Sequence, residues 1–339
     1  MPARLRLGMV GVGPVVERYH LRAVRGVPEV EPVAVVDINE ERACQFALRQ
    51  GFPFATTRIE DLFGKVDLAI LALPNGLHAS VACELLSNGI HVLCEKPMAR
   101  NVPECQAMIE AARRGGAQLC IGHNRRFRNN VNLAKRLMER GILGDVIRIE
   151  AEEGSTADWP RSPAYFDPAQ AGGGALIDVG IHSIDLIRWL VGEFREIKYA
   201  GNGTTTTVES EAELRFRMAN RAEGKLLASR TRDLQQHIRI TGSEGYLDIG
   251  LWSDNLRMRS NKGKAFQQLP YLDAYVSRRP PQDASFVQQL NNLVNAVRGE
   301  EKVLVDGFAG MAAVEVVTRA YDHSAALDAS PAELAWGNG

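Results

Sequence analysis

The sequence predicts an α/β protein: a doubly wound parallel sheet over residues 1–124, then an α+β unit over 125–339 built on an open, mainly antiparallel sheet. Three observations carry this. In the first 124 residues short apolar runs alternate with helical periods, as in a parallel sheet covered on both faces. After residue 200 the hydrophobic period changes from about 3.6 to about 2. A chain of 339 residues also exceeds what one ordinary core packs, so two units are expected.

The first run, 5–10 (LRLGMV), ends at Gly11-Val12-Gly13-Pro14-Val15-Val16. A helical stretch follows from 14 to about 25, with Pro14 suited to a first helical position. Residues 31–36 (EPVAVV) form a β-branched strand closing on Asp37 and Ile38. Strand, glycine turn, helix, strand and acidic residue is the dinucleotide-binding, or Rossmann, order. Glycine lets backbone amides approach a pyrophosphate at the positive end of a helix. Asp37 is suited to accept hydrogen bonds from an adenosine ribose and repels a 2′-phosphate, which favours NAD over NADP. Arg42, one turn on, could meet such a phosphate, which tempers that preference. Val16 stands where the fingerprint has its third glycine, so this turn alone also reads as a tight connection without a ligand.

The alternation continues with a helix capped by Asn39, a strand at 67–73 and a helix at 76–87. A strand at 90–94, a helix at 102–114 and a last strand at 119–122 complete it. Ligands of such sheets bind beyond the carboxyl ends of the strands. Those ends carry residues 11–16, Asp37, Pro74 and Asn75, Glu95, Lys96 and Pro97, and His123, Asn124 and Arg125. Five ends bearing glycine or polar residues say more than the first turn alone. Lys96 follows an apolar strand, and beside a cationic nicotinamide its pKa would fall. An ion pair with Glu95 or a snorkelling surface lysine is the plainer reading.

In the second unit a helical pattern at 127–140 and a strand at 146–152 lead to GSTADWPRSPAYFDPAQA. A loop of this length within a compact domain is usually functional, and Trp159, Arg161 and Tyr165 are candidate substrate contacts. It enters GGGALIDVGIHSIDLIRWL, 172–190, an apolar helical pattern into which Asp178, His182 and Asp185 are set. Residues four apart share a helix face, so Asp178 and His182 should be neighbours. Carboxylate and imidazole make a proton-transfer pair; solvated positions on an amphipathic helix are the alternative.

Strand alternation then runs through 208–218, with Val208, Ala212, Leu214, Phe216 and Met218 on one face. Glu209, Glu211, Glu213, Arg215 and Arg217 take the other. It continues at 224–231, 237–241 and 246–249, with a hairpin turn at GSEG. Helical patterns at 284–298 and 307 to about 327 close the chain, suited to covering a sheet face or the junction of the units.

Forty basic against 41 acidic residues give a net charge of −1, without bulk attraction for nucleic acid or an anionic membrane. No apolar run approaches the roughly 20 residues of a membrane span. The N-terminus reaches its glycines before a signal-peptide core develops. Five cysteines without paired metal-ligand spacing suggest free thiols in a reducing cytoplasm and no metal site.

Taken in order, GVGPVVERYH, LALPNGLH, CEKPMA, GHNRRF and GGGALIDVGIHSIDL resemble the Gfo/Idh/MocA oxidoreductases, relatives of glucose–fructose oxidoreductase and inositol dehydrogenase. The resemblance implies an NAD(P)-dependent dehydrogenase acting on a CH–OH group of a sugar, cyclitol or nucleotide sugar. It places the family's lysine on Lys96, its aspartate on Asp178 and its acid/base histidine on His182. Gly11, Gly13, Asp37, Pro74, Asn75, His78 and Glu95 fall on cofactor-side positions, with Pro14, Val15, Val16 and Ile38 in the same turns. Lys96 and Arg125 fall near both nicotinamide and substrate. Arg125, Arg126 and Arg161 admit an acidic sugar or a nucleotide-sugar phosphate. The resemblance also implies a homodimer or homotetramer through the open sheet, whose mixed Glu and Arg face would make a polar interface. A non-catalytic NAD(P)-sensing regulator on the same fold is the alternative from another class. A pure sensor has no chemical use for Lys96, Asp178 and His182.

Overall fold

The computed structural model describes residues 3–156, 163–204, 207–260, 284–322 and 324–326. Its first sheet contains β1 (Leu5–Val10), β2 (Val30–Val36), β3 (Phe54–Thr56), β4 (Leu68–Leu71), β5 (His91–Cys94) and β6 (Leu119–Ile121). All pairings are parallel, in the order β3-β2-β1-β4-β5-β6. Central β4, LAIL, has all four residues at 0% exposure, as expected of a strand covered on both faces. Helices α2 (Glu40–Gln50), α3 (Asn75–Ser87) and α4 (Val102–Gly115) cross over between strands. Asn39 and Asn101 cap α2 and α4 by accepting from the amides of Arg42 and Glu104, at 2.8 and 3.0 Å. Strand order reverses between β1 and β4, which opens a crevice at their carboxyl ends.

The helix expected from 14 to about 25 is present: it is helical from Pro14, passes through a π-turn, Val16–His20, and runs into α1 (Leu21–Gly26). The amides of Val16 and Glu17 both approach the Gly13 carbonyl, at 3.0 and 3.4 Å. Val16, which departs from the glycine fingerprint, is fully buried in the sheet's core.

The second sheet has eight strands: β7 (Val146–Gly154), β8 (Phe194–Gly201), β9 (Glu211–Met218), β10 (Glu223–Ser229), β11 (His237–Gly242), β12 (Gly245–Gly250), β13 (Leu256–Ser260) and β14 (Ser324–Ala326). Their order is β13-β12-β11-β7-β10-β9-β8-β14, antiparallel except for β7–β10 and β8–β14. β9 buries Ala212, Leu214, Phe216 and Met218 and turns Glu211, Glu213, Arg215 and Arg217 outward, the expected alternation. Helices α5 (Asn129–Glu139), α7 (Ile181–Val191) and α9 (Gly307–Asp322) pack on its inner face. Three expectations need correction here. The final helix stops at Asp322 rather than near 327, and residues 324–326 add a parallel edge strand. β8 and β13 lie where the sequence singled out no strand. Glu209, assigned to the exposed face, precedes β9 and is buried, accepting from the Leu176 amide at 3.0 Å and the Tyr321 hydroxyl at 2.8 Å.

Helix α8 (Ala284–Val297) returns to the first unit. Its Leu290, Leu293 and Val294 share one buried cluster with Leu7, Met9 and Val35. Gln289 Nε2 donates to the carbonyl of Ile121 at 2.8 Å, and Tyr19 stacks on Phe286 with ring centres 4.8 Å apart. The first sheet ends at Ile121 and the second begins at Val146, yet the first core is completed by α8, far beyond both.

The junction is locked by Arg126, whose guanidinium donates to both oxygens of Asp185 at 2.9 and 2.6 Å. Both side chains are buried, and Arg126 lies over the Trp189 ring at 5.4 Å. Asp185 is therefore a structural anchor of α7. Removing one partner leaves a buried unpaired charge. Asp185→Ala is expected to lower unfolding stability in urea by about 3–5 kcal/mol, with much of the loss recovered when Arg126→Met accompanies it. A loss under about 1 kcal/mol for the single variant would contradict this role.

Candidate active site

The carboxyl ends of the first sheet supply the crevice floor. Gly11 has φ +83, and a Cβ there would meet the Ala72 carbonyl oxygen at 2.3 Å, so only glycine fits. A Cβ at Gly13 would meet nothing within 4 Å: the space over this turn is open, and glycine there admits close approach from outside. Asp37 accepts from the Val12 amide at 3.2 Å, the Asn39 amide at 3.0 Å and Arg42 Nη2 at 2.5 Å. Ile38 beside it is 91% exposed. Open glycine backbone, a strand-end carboxylate and an exposed apolar side chain fit pyrophosphate, ribose and adenine in turn.

His78 is placed otherwise. It is 0% exposed and puts its ring nitrogens on the carbonyls of Pro97 and Leu73, at 2.8 and 2.9 Å. It fastens the β4 and β5 loops to each other and presents no surface. Asn75 reaches across the crevice to the Ala171 carbonyl at 2.9 Å. Glu95 accepts from His20 Nε2 at 2.8 Å and from the Lys96 amide at 3.1 Å. Burial would raise the Glu95 pKa, but the His20 contact and the charges of His20 and Lys96 hold it below the ordinary glutamate value.

The second unit supplies the opposite wall. After the short helix α6 (Pro168–Ala171), three glycines lead into a π-turn, Leu176–Gly180, that continues as α7. A Cβ at Gly174 would lie 1.9 Å from the Glu209 carbonyl oxygen, so this segment is pressed against the second sheet. No hydrogen bond joins Asp178 of this turn to His182 among the described residues. Asp178 instead faces Lys96, whose Nζ donates to its Oδ1 at 3.1 Å and its carbonyl at 2.8 Å. The Tyr165 hydroxyl donates to Oδ2, and Arg230 Nε lies 3.3 Å from the same oxygen. Burial pushes the Asp178 pKa up, but the Lys96 and Arg230 cations and the tyrosine outweigh it and hold it down to about 2. Asp178 is a permanent anion at neutral pH, able to orient groups but not to exchange protons.

His182 makes no hydrogen bond among the described residues, and its Nδ1 is buried without a partner. Burial, with the charges of Arg125 and Lys96, holds its pKa well below 6.5, so the ring is neutral at physiological pH. Its Nε2 is the nitrogen left able to meet the crevice. Arg125 is buried and pairs with Glu153, which also accepts from Ser183 Oγ at 2.8 Å. The structure thus brings Lys96, Asp178 and Tyr165 together and sets His182 near Arg125 and Lys96. It does not join Asp178 to His182. Trp159 and Arg161 lie outside the described residues.

Glu153 and Arg230 escaped the sequence reading, although period-two spacing carried both. Ile149, Ala151 and Glu153 share the inner face of β7, and Leu226, Ala228 and Arg230 continue one line along and past β10. A charge at a core-facing strand position asks for a buried partner.

A carboxylate held near pKa 2 stabilises the fold above its unfolded pKa, and that contribution disappears as pH falls through the folded value. The wild type should lose about 2 kcal/mol more than Asp178→Asn between pH 5 and pH 2, read by urea titration at each pH. Parallel pH dependence in the two proteins would contradict the assignment.

Comparison with known proteins covers both units. Residues 5–123 match the family model described as "Oxidoreductase family, NAD-binding Rossmann fold", and 131–248 match the GFO/IDH/MocA C-terminal domain. Levoglucosan dehydrogenase of Pseudarthrobacter phenanthrenivorans is 32% identical over 208 residues, 57% of this chain and 53% of that protein. The chain thus spans about half the length of the first curated relatives it matches. Myo-inositol 2-dehydrogenase of Thermotoga maritima is 24% identical over 91% of this chain and 93% of its own. The WlbA dehydrogenase from Bordetella pertussis, solved with NADH and UDP-GlcNAcA, superposes with a TM-score of 0.80 at 22% identity, covering 95% of this chain and 96% of that one. With both units matched in order, the chain belongs to the Gfo/Idh/MocA oxidoreductase family.

Proposed function

We propose that this protein is an NAD(H)-dependent oxidoreductase that interconverts a secondary alcohol and a ketone on a sugar, cyclitol or nucleotide sugar. The observation that carries it is Lys96, from the end of β5, meeting Asp178 of the second unit beside a neutral, half-buried His182. Relatives named as acting on levoglucosan and myo-inositol support the substrate class.

The residues that would hold the cofactor are Gly11, Gly13 and residues 14–16 at the pyrophosphate, and Asp37 and Ile38 at the adenosine. Pro74, Asn75, Glu95 and Lys96 would line the nicotinamide end. The chemistry a bound nicotinamide supplies is hydride acceptance from, or donation to, the substrate carbon. Lys96, fixed by Asp178, donates to the reacting oxygen and favours its partial negative charge. His182 takes the hydroxyl proton at Nε2 during oxidation and returns it during reduction. Tyr165 and Arg230 keep Asp178 from rotating away. Arg126 is held through Nε and Nη2 by Asp185, whereas Arg125 pairs with Glu153 through Nη2 and keeps Nη1 buried without a partner.

A homo-oligomer through the outer face of the second sheet fits its charge pattern. Lys225 and Arg215 both meet Glu213, at 2.9 and 2.6 Å, and Arg239 meets Asp248 at 2.6 Å. Such a face would join a second copy by polar contacts. Five free thiols, three of them buried, fit a reducing cytoplasm, and no helix among the described residues is long and apolar enough to cross a membrane.

His182→Ala should leave NADH affinity nearly intact while turnover on an active polyol falls roughly 10²–10⁴-fold. Unchanged turnover would remove His182 from the chemistry, and silence of the wild type across a sugar and polyol panel, with tight NAD binding, would favour a sensor. Because a depressed pKa keeps the base neutral, kcat/KM for oxidation should stay flat as pH falls from 7.5 to 6.5. An acid limb centred at or above 6.5 would contradict that. For cofactor choice, NADH should bind at least tenfold more tightly than NADPH, and Asp37→Ala should narrow the gap by freeing Arg42. Equal affinities in the wild type would count against Asp37 as the selector.

A further inference from the structure

A histidine base usually has its second nitrogen held by a carboxylate or carbonyl, which fixes its tautomer and ring orientation. Here Asp178 is engaged elsewhere, and His182 Nδ1 is buried without a partner. The ring beside it is His123, which follows the last strand of the first sheet. His123 is 1% exposed, and neither of its ring nitrogens has a partner. The two imidazoles lie edge to face, with ring centres 6.0 Å apart and planes at 86°. That spacing lies within the range of an edge-to-face ring contact, and it allows one water beside the rings to bridge their unpartnered nitrogens with two hydrogen bonds of about 2.8 Å each. Buried polar nitrogens are seldom left unpaired, and a buried water needs two or more polar partners. His123 and His182 supply them from opposite units.

The geometry points to His123 as the positioning residue of His182: one ordered water accepts from His182 Nδ1–H and donates to a His123 nitrogen. This rests on His182 being the acid/base. The arrangement selects the tautomer whose Nε2 lone pair faces the crevice. When Nε2 takes the alcohol proton, the Nδ1–H bond to the water strengthens and the imidazolium is held in place. The charged groups around the pair suit this. Arg125 and Lys96 bear on His182, while Asp185, Arg126, Lys96 and Glu95 bear on His123. Asp185 is fixed by Arg126, so no carboxylate takes over the role of the water. A second imidazole thereby does what a carboxylate does elsewhere, without adding negative charge that would raise the base's pKa.

The test compares His123→Phe, which keeps the ring volume, with His123→Asn, which keeps a hydrogen-bonding side chain. In ¹⁵N-histidine spectra of the NADH complex, wild-type His182 should show one tautomer, protonated at Nδ1. That preference should be lost in His123→Phe and retained in His123→Asn. With the best polyol of the panel, His123→Phe should lower kcat roughly tenfold to a hundredfold. KM and NADH affinity should stay within about twofold, and the solvent deuterium isotope effect on kcat should rise. His123→Asn should recover most of the rate. An unchanged His182 tautomer in His123→Phe overturns the inference. So do equal losses in both variants accompanied by weakened NADH binding, the mark of a packing role. Should His182→Ala retain full activity, the acid/base reading itself falls. A normal His123→Phe beside an inactive His182→Ala removes only the role given to His123.

Discussion

The site depends on one half-buried carboxylate. Partial burial pushes Asp178 toward its protonated form, and it stays ionised because Lys96 and Arg230 press on it from different elements. Lys96 comes from the first sheet; Asp178, Tyr165 and Arg230 come from the second unit. Such a pair gives back part of its attraction as desolvation, although the balance favours the ionised Asp178. Its value is positional: it holds a lysine over the crevice and joins the two walls at the point where chemistry is expected. The glycine run before α7 serves the same end, since Gly174 has no room for a Cβ against Glu209.

The supporting contacts divide the charged residues into two groups. Arg126 with Asp185 and Arg125 with Glu153 are buried pairs that set the junction. Lys96 and Arg230 share a single carboxylate, that of Asp178. Asp37 belongs with neither, since it closes the glycine turn through the Val12 amide while holding Arg42 at its rim. His182 sits among cations and is kept neutral, the state a base needs before it accepts a proton.

Much of this was legible in the sequence. The alternation of buried runs with helical periods is a direct consequence of covering a parallel sheet on both faces, and it located all five crevice strand ends. Lys96 and Asp178 were legible as candidates, but their partnership was not. Spacing along one helix can relate Asp178 only to residues such as His182, whereas its hydrogen bonds run to Lys96 and Tyr165 on other segments. The buried partners of Arg125 and Arg126 were not legible, because Glu153 and Asp185 come from distant segments. The alternation around Glu153 and Arg230 did mark both as inward-facing. Helix α8 could not have been assigned to the first unit by position, because only its packing on β1 and α1 shows where it belongs.

The most direct test of the account is a crystal structure of the protein with NADH and a substrate or inhibitory polyol. The account predicts one polyol hydroxyl within hydrogen-bond distance of both His182 Nε2 and Lys96 Nζ, with its carbon facing the nicotinamide and Asp178 still on Lys96. A polyol bound away from both side chains, or a Lys96 swung off Asp178 and out of the crevice, would contradict it.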